Sequence, residues 1–333
     1  MKKWFSIISM FTLILLLTAC NADDTKKDTG ESQQNEDALS VYTTVYPLQY
    51  FTEQIGGEFV DVSSIYPAGA NEHSFEPTQK DMMALADADL FFYVGLGLEG
   101  FVENAQKTLA NEDVKLVPTA ANVTEDQLHI STGHTHAEHE EHEEHEDHGN
   151  DHGEEQAHED HDAHVWLSPV ISQQLALTIK DELVAALPEH EAIFNSNYEQ
   201  LVTELAKLHS DFEAMAAATT KKTFFVSHAA FGYIAGHYGF NQVPVAGLNS
   251  QSEPSQKELT AIVDLANKED IQYIFFEQNV SSKLTEIISK EVNAETLTLH
   301  NLSVLTKEDI QNNEDYFTLM RKNMDVLKQA LSN

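Results

Sequence analysis

Cysteine is nearly absent. The single residue, Cys20, leaves a chain of 333 residues with no internal disulfide. Basic side chains are scarce too: 19 Lys and Arg stand against 55 Asp and Glu, for a formal net charge of −36. That deficit excludes nucleic acid as a partner, because a phosphate backbone is neutralised by Lys and Arg. There is no HExxH and no paired CxxC, so the local zinc motifs of that kind are missing. GLGLEG (95–100) is glycine-rich and follows a strand-like run, yet it lacks the GxxxxGKS/T of a phosphate loop. The apolar run near the N-terminus is short for a membrane span of ~20 residues.

What is abundant is histidine set among acid. Residues 133–164 read GHTHAEHEEHEEHEDHGNDHGEEQAHEDHDAH and then change abruptly into VWLSP. Such a stretch buries too little apolar surface to offset chain entropy, so a disordered loop is expected over 133–163. Acid alone would serve solubility. Here His134, His136, His139, His142, His145, His148, His152, His158 and His161 recur throughout, which points to metal capture. Neutral imidazole suits zinc, copper and nickel, whereas carboxylates suit harder ions. An acidic field also raises the local concentration of cations.

The N-terminus explains the lone thiol. MKKWFSIISMFTLILLLTAC has a basic start, an apolar core and small residues before Cys20. Residues 1–19 read as a secretory signal peptide, and the segment before Cys20 resembles the lipobox of bacterial lipoproteins. The expectation is a palmitate-bearing lipoprotein, lipid-anchored through Cys20 at the extracellular face of the cell membrane. Residues 20–38 are polar and of low complexity, as suits a flexible tether.

From Leu39 the pattern changes. SVYTTVYPL reads as a buried strand with YFTEQIG opening a helix, and VDVSSIYP, DLFFYVGLG and VKLVPTA read as further strands with helices between. After the acidic tract, SPVISQQLALTIKDELVAALP is helical with proline at each end. Residues 189–219 contain neither glycine nor proline and predict a helix of ~40 Å at ~1.5 Å per residue. Strands resume at TFFVSH, NQVPVAGL, IQYIFFEQ and ETLTLHNL, separated by helices, and a last helix runs from about Glu314 to Leu331. The expected fold class is α/β: two βα lobes with parallel-type sheets joined by a long rigid helix, with a metal site in the cleft between them. The boundaries are 39–187 for the N-terminal lobe, 188–219 for the connecting helix and 220–333 for the C-terminal lobe.

Ligands of open α/β sheets sit beyond the carboxyl ends of strands, and several histidines fall there. His73 follows the strand ending at Tyr66, His228 ends TFFVSH and His300 ends ETLTLH; His164 closes the acidic tract and is anchored by VWL. Any one of them taken alone reads as structural, but their convergence on one edge of two sheets does not. His190, His209 and His237 read as packing or solvated residues on helices. Trp166 and Phe231 adjoin the candidate ligands and supply a dry surround. Glu277, after IQYIFF, reads as an exposed strand-end carboxylate.

The residues that carry a resemblance are YPAGANEHSFEPTQKD around His73, the His-rich acidic insertion, DAHVWLSP around His164 and VSHAAFGYIAGHYG around His228. With these the chain, from about Leu39 to Asn333, resembles the zinc-binding, ZnuA-like solute-binding lipoproteins of bacterial metal ABC importers. The resemblance implies a non-enzymatic, monomeric protein. It would hold Zn2+ between its lobes with His73, His164 and His228 and deliver it to an ABC-type membrane permease. Where relatives carry NPLEGLT, whose glutamate completes the shell, this chain has HNLSVLT, so Ser303 stands in place of the carboxylate. The fourth ligand is left open among Glu72, His300 and water. Three imidazoles favour zinc over manganese, although raw affinity would rank copper higher. A metal-dependent cell-adhesion role would be compatible with this reading. The alternative is a secreted zinc hydrolase, since catalytic zinc also uses three protein ligands plus water. Against it, no general base stands out beyond Glu72 and Glu277.

Overall fold

The computed structural model describes residues 38–132, 161–248, 254–278 and 282–332. The signal segment, Cys20, nearly all of the tether and the tract histidines from His134 to His158 lie outside the described residues. Among the described residues, no helix is long and apolar enough to cross a membrane.

The first lobe runs β1 (Leu39–Thr43), α1 (Tyr46–Gly56), β2 (Val60–Ser64), α2 (Gln79–Ala86), β3 (Leu90–Tyr93), α3 (Val102–Thr108) and β4 (Lys115–Pro118). A one-turn helix α4 (Glu125–Leu128) follows, then α5 (Pro169–Ala186) and the long α6 (Glu191–Ala218). The second lobe is β5 (Thr223–His228), α7 (Gly232–Tyr238), β6 (Asn241–Ala246), α8 (Gln256–Lys268), β7 (Tyr273–Phe276), α9 (Lys283–Glu291), β8 (Glu295–Thr298), α10 (Lys307–Gln311) and α11 (Tyr316–Leu331). Each lobe holds a four-stranded, all-parallel sheet, ordered β2-β1-β3-β4 and β6-β5-β7-β8. In both, the chain moves outward by one strand and then crosses back, so the carboxyl ends beside β1 and β5 lie where the strand order reverses.

The fold class is as the sequence implies, with shifts at element ends. The first strand stops at Thr43, and Tyr46-Pro47-Leu48 open α1 instead of ending β1. Proline without an N–H is at home in the first turn of a helix. Pro244 sits inside β6, which is an edge strand, where a missing donor costs least. ETLTLHNL is strand only as far as Thr298, which releases His300 into a loop.

Two cores hold the lobes. The larger runs from Val41 through Phe91, Trp166, Leu205 and Phe231 to Leu331, and so includes both sheets and the long helix. The smaller packs Phe225, Val245, Ile262, Ile274 and Ile288 on the far face of the second sheet. The division follows strand alternation, with Phe224 and Val226 facing the large core and Phe225 the small one. The 28 residues of α6 bury Phe194, Leu201, Leu205, Leu208, Phe212 and Met215 at the three-to-four spacing of a one-sided helix. α11 returns from the second lobe to the first: Tyr316 packs on Phe51 at 5.0 Å, and its hydroxyl donates to the Trp166 carbonyl at 2.9 Å.

Helix α7 and the end of α4 fit together just as tightly. The Thr132 N–H donates to the Gly232 carbonyl at 3.2 Å, and a Cβ on Gly236 would stand 1.7 Å from the Ile130 carbonyl oxygen. Only glycine admits that approach.

The glycine-rich turn after β3 has its own occupant. Glu99 is buried; its Oε1 accepts from the Val94 N–H at 2.8 Å and the Thr44 hydroxyl at 2.8 Å, and its Oε2 from the Gly95 N–H at 3.0 Å. The amides that would cradle a phosphate are therefore taken by a carboxylate of the chain itself. Burial nonetheless pushes this carboxyl up to about 7. A folded-state value above the ordinary ~4.3 means that the folded chain holds a proton the unfolded chain gives up. The contribution of Glu99 to stability is then full below about pH 4.3 and lost as the pH rises through about 7. Thermal unfolding of metal-free wild type and Glu99→Gln between pH 5 and 8 checks this. The wild-type Tm is expected to fall relative to the variant as the pH rises.

Candidate metal centre

His73 lies in the loop after β2, where the Asn71 side chain accepts from the His73 N–H at 3.0 Å and sets the turn. His164 precedes a short 3-10 turn, Val165–Leu167, and His228 is the last residue of β5. The structure brings these three together. Their rings are 5.3 Å (His73 to His164), 5.3 Å (His73 to His228) and 5.0 Å (His164 to His228) apart. One nitrogen from each lies within 4.8 Å of the others. All three Nε2 atoms are buried and have no hydrogen-bond partner. Buried polar atoms nearly always have one, because an unpaired buried donor or acceptor costs roughly 1–3 kcal/mol. Three such atoms aimed at one point are a donor set awaiting an electrophile, and tetrahedral zinc, with nitrogen at ~2.0–2.1 Å, suits it.

The opposite face of each of two rings is held. His164 Nδ1 lies 2.7 Å from Asp162 Oδ1, and Asp162 is fixed by the Ser131 hydroxyl at 2.5 Å. The Tyr233 hydroxyl donates to the Asp162 carbonyl at 2.6 Å. His228 Nδ1 lies 2.6 Å from Glu277 Oε1. Carboxylates placed so orient the imidazole and raise its basicity toward a metal. Trp166 and Phe231, both fully buried, keep the surround dry.

Glu277 corrects the expectation of an exposed carboxylate: it is 5% exposed and backs a candidate ligand. His300 also departs from its expected role. Its Nδ1 accepts from the Leu302 N–H at 2.9 Å and its Nε2 faces Asp309 at 3.1 Å, so neither nitrogen is left for a cation. Glu72 is buried beside the triad, with Oε1 3.9 Å from His73 Nε2. Ser303 donates through its hydroxyl to Asn301 Oδ1 at 2.9 Å and offers the site nothing directly. His161 stands apart from the triad, 3.2 Å from Glu125. His190 stacks on Phe59 and His209 pairs with the Tyr238 hydroxyl, so both serve packing.

Asn301 is the residue that sequence reasoning missed. Its Nδ2 donates to Glu72 Oε1 at 3.0 Å and to Glu277 Oε2 at 2.7 Å. Its Oδ1 accepts from Gln278 Nε2 and the Ser303 N–H, and its carbonyl accepts from the Trp166 indole. One amide thus ties together the carboxylates behind and beside the triad, and the next residue, Leu302, turns with φ 59 to allow it. The local signal was the bare asparagine of HNLSVLT, which nothing nearby marks as central.

Electrostatics follow from burial. Burial, with His164 and His228 adding, pushes His73 down to about 2 and keeps its ring neutral. For His228 burial acts downward, but the charge and hydrogen bond of Glu277 outweigh it and the net shift is upward. Burial likewise pushes Glu277 up, and the His228 charge and hydrogen bond bring it below the ordinary carboxylate range. Burial raises Glu72, and the charge of Glu277 adds to that. A cation among the three rings would act on Glu72 in the opposite sense.

The comparisons agree with this geometry. The ZnuA family model, described as zinc-uptake complex component A periplasmic, matches residues 41–330. The zinc-binding protein AdcA of Streptococcus pyogenes serotype M18 is 35% identical over 98% of this chain and 61% of its own length. The chain thus spans less than two thirds of that relative. The high-affinity zinc uptake system protein ZnuA of Bacillus subtilis is 34% identical over 99% of this chain and 98% of its own length. The crystal structure of the Zn(II)-bound ZnuA-like domain of Streptococcus pneumoniae AdcA superposes with a TM-score of 0.70 at 31% identity, covering 89% of this chain and 100% of that one. These relatives carry the names of zinc-binding and zinc-uptake proteins. With the family model spanning most of its length, the chain belongs to the ZnuA family.

Proposed function

We propose that this chain captures Zn2+ outside the cell and delivers it to the permease of an ABC importer. The observation that carries the reading is the meeting of three partnerless, buried imidazole nitrogens drawn from both lobes. His73, His164 and His228 bind the ion, and Glu72 is the carboxylate placed to complete the shell or to hold a water there. The long helix between lobes limits opening, since a helix bends far less than a loop hinge. Cys20 carries the lipid, residues 1–19 act as the export signal and residues 20–38 as the tether. The His-rich tract collects metal weakly or senses it, in keeping with its composition.

Zinc-limited cells carrying wild type or His73→Ala as their sole copy test the role. Accumulation of labelled zinc is expected to fall sharply with the variant, and equal accumulation would sink the proposal. Substitution of Glu277 by glutamine or of Asp162 by asparagine should weaken zinc binding about 10–100-fold, because each removes the negative charge that holds a ligand ring and raises its basicity. Competitive titration against a chelator reads that loss.

A further inference from the structure

We infer that Glu125, His129 and His161 form a second metal site, for a borderline divalent cation such as Zn2+, at the root of the His-rich tract. The three residues each offer one ligand atom, all within 4.8 Å of one another. His161 Nε2 lies 3.2 Å from Glu125 Oε2, and His129 Nε2 lies 4.0 Å from the same oxygen. The two rings are 5.8 Å apart and inclined at 40°. Two imidazoles and one carboxylate are a donor set for zinc, copper or nickel.

The chain on both sides is anchored, so the three side chains are not brought together by loose ends. Glu125 opens α4 and His129, four residues on, caps its end with helical backbone angles, so the two share a face; the start of α4 is closed by the reciprocal Thr124–Gln127 capping box. After His129, Ser131 bonds Asp162, and Thr132 bonds Gly232 in the second lobe. His161 directly precedes that same Asp162, and its side chain is 20% exposed against 59% for His129 and 71% for Glu125. The site is therefore open to water on one side, with three protein ligands and room for a fourth donor. That makes it shallower and more labile than the buried triad. It also joins His129, four residues before the tract, to His161 near its end, and abuts the carboxylate that orients His164.

The site differs from the cleft in every ligand, so the two are separable. In a full-length chain with the tract histidines from His134 to His158 all replaced by glutamine, calorimetric titration with Zn2+ alone is expected to show one tight ion and one weaker ion. Adding His129→Ala should weaken the second ion by about tenfold or more and leave the tight ion unchanged. Adding His73→Ala instead should weaken the tight ion and spare the other. His129 is 59% exposed, and an unchanged Tm of the metal-free His129→Ala chain checks that the fold is intact. Binding of the tight ion alone by the glutamine-substituted chain, or a weaker ion indifferent to His129→Ala, would overturn the inference. A tight ion indifferent to His73→Ala would count against the cleft and not against this site.

Discussion

Alanine at His73, His164 or His228 is expected to reduce zinc affinity by about a hundredfold or more. The free energy of a closed protein zinc site is roughly 10–16 kcal/mol, so four ligands supply on the order of 3 kcal/mol each. At ~1.4 kcal/mol per factor of ten, that is about two decades. The three variants should differ in their cost to the metal-free fold. His73 has no carboxylate behind its ring and is held neutral, so its loss removes an unpartnered nitrogen along with the ring. Loss of His228 strands Glu277, which is 5% exposed, without its charged partner. Breaking a buried pair from one side costs about 3–5 kcal/mol. The expected order of Tm is therefore His73→Ala above His228→Ala, with both far below wild type in zinc affinity. Chelator competition and thermal unfolding measure the two quantities on the same samples. Wild-type affinity in all three variants would remove the cleft as the binding site.

Asn301→Leu is the second large effect. Leucine keeps the branching at Cγ but gives neither Glu72 nor Glu277 a donor, and it leaves the Ser303 N–H and Gln278 without their acceptor. Each buried group left unpaired costs roughly 1–3 kcal/mol. The loss falls on residues that border the three imidazoles, so zinc affinity should drop about 10–100-fold as well. A leucine variant that keeps wild-type affinity while losing stability would show that Asn301 serves the fold alone. Asn301→Asp should be worse for the metal-free protein, since a third carboxylate would meet two that already lie within 3.0 Å of the amide.

Much of this was legible in the chain. Buried runs such as LFFY and TFFVSH, with helical stretches of fixed period between them, leave parallel sheets as the way to cover both faces. Strand ends then mark where ligands gather: His228 ends β5 and His73 lies in the loop after β2, whereas His164 was marked by the apolar VWL that follows it. Element ends were less legible, as Tyr46-Pro47-Leu48 shows. Those residues suit a strand by composition, but proline in the first helical turn is equally content. The resemblance to metal-binding relatives narrowed the role, and the family model now spans residues 41–330.

The chain by itself determined the alternation of strands and helices, the long uninterrupted helix, the acidic character and the strand-end positions of the histidines. Those properties depend on neighbours a few residues away, where period and composition act. Only the tertiary structure decided which way the side chains turn. It set His300 against Asp309 and away from the cleft, placed Glu277 behind His228, and hung both carboxylates on Asn301. Most of these choices belong to hydrogen bonds between separate segments of the chain: Asn301 and Glu72 are 229 residues apart, and His228 and Glu277 are 49 apart. His161 reaches Glu125 and His129 for the same reason, since that approach follows from the docking of two segments held by the Ser131–Asp162 bond.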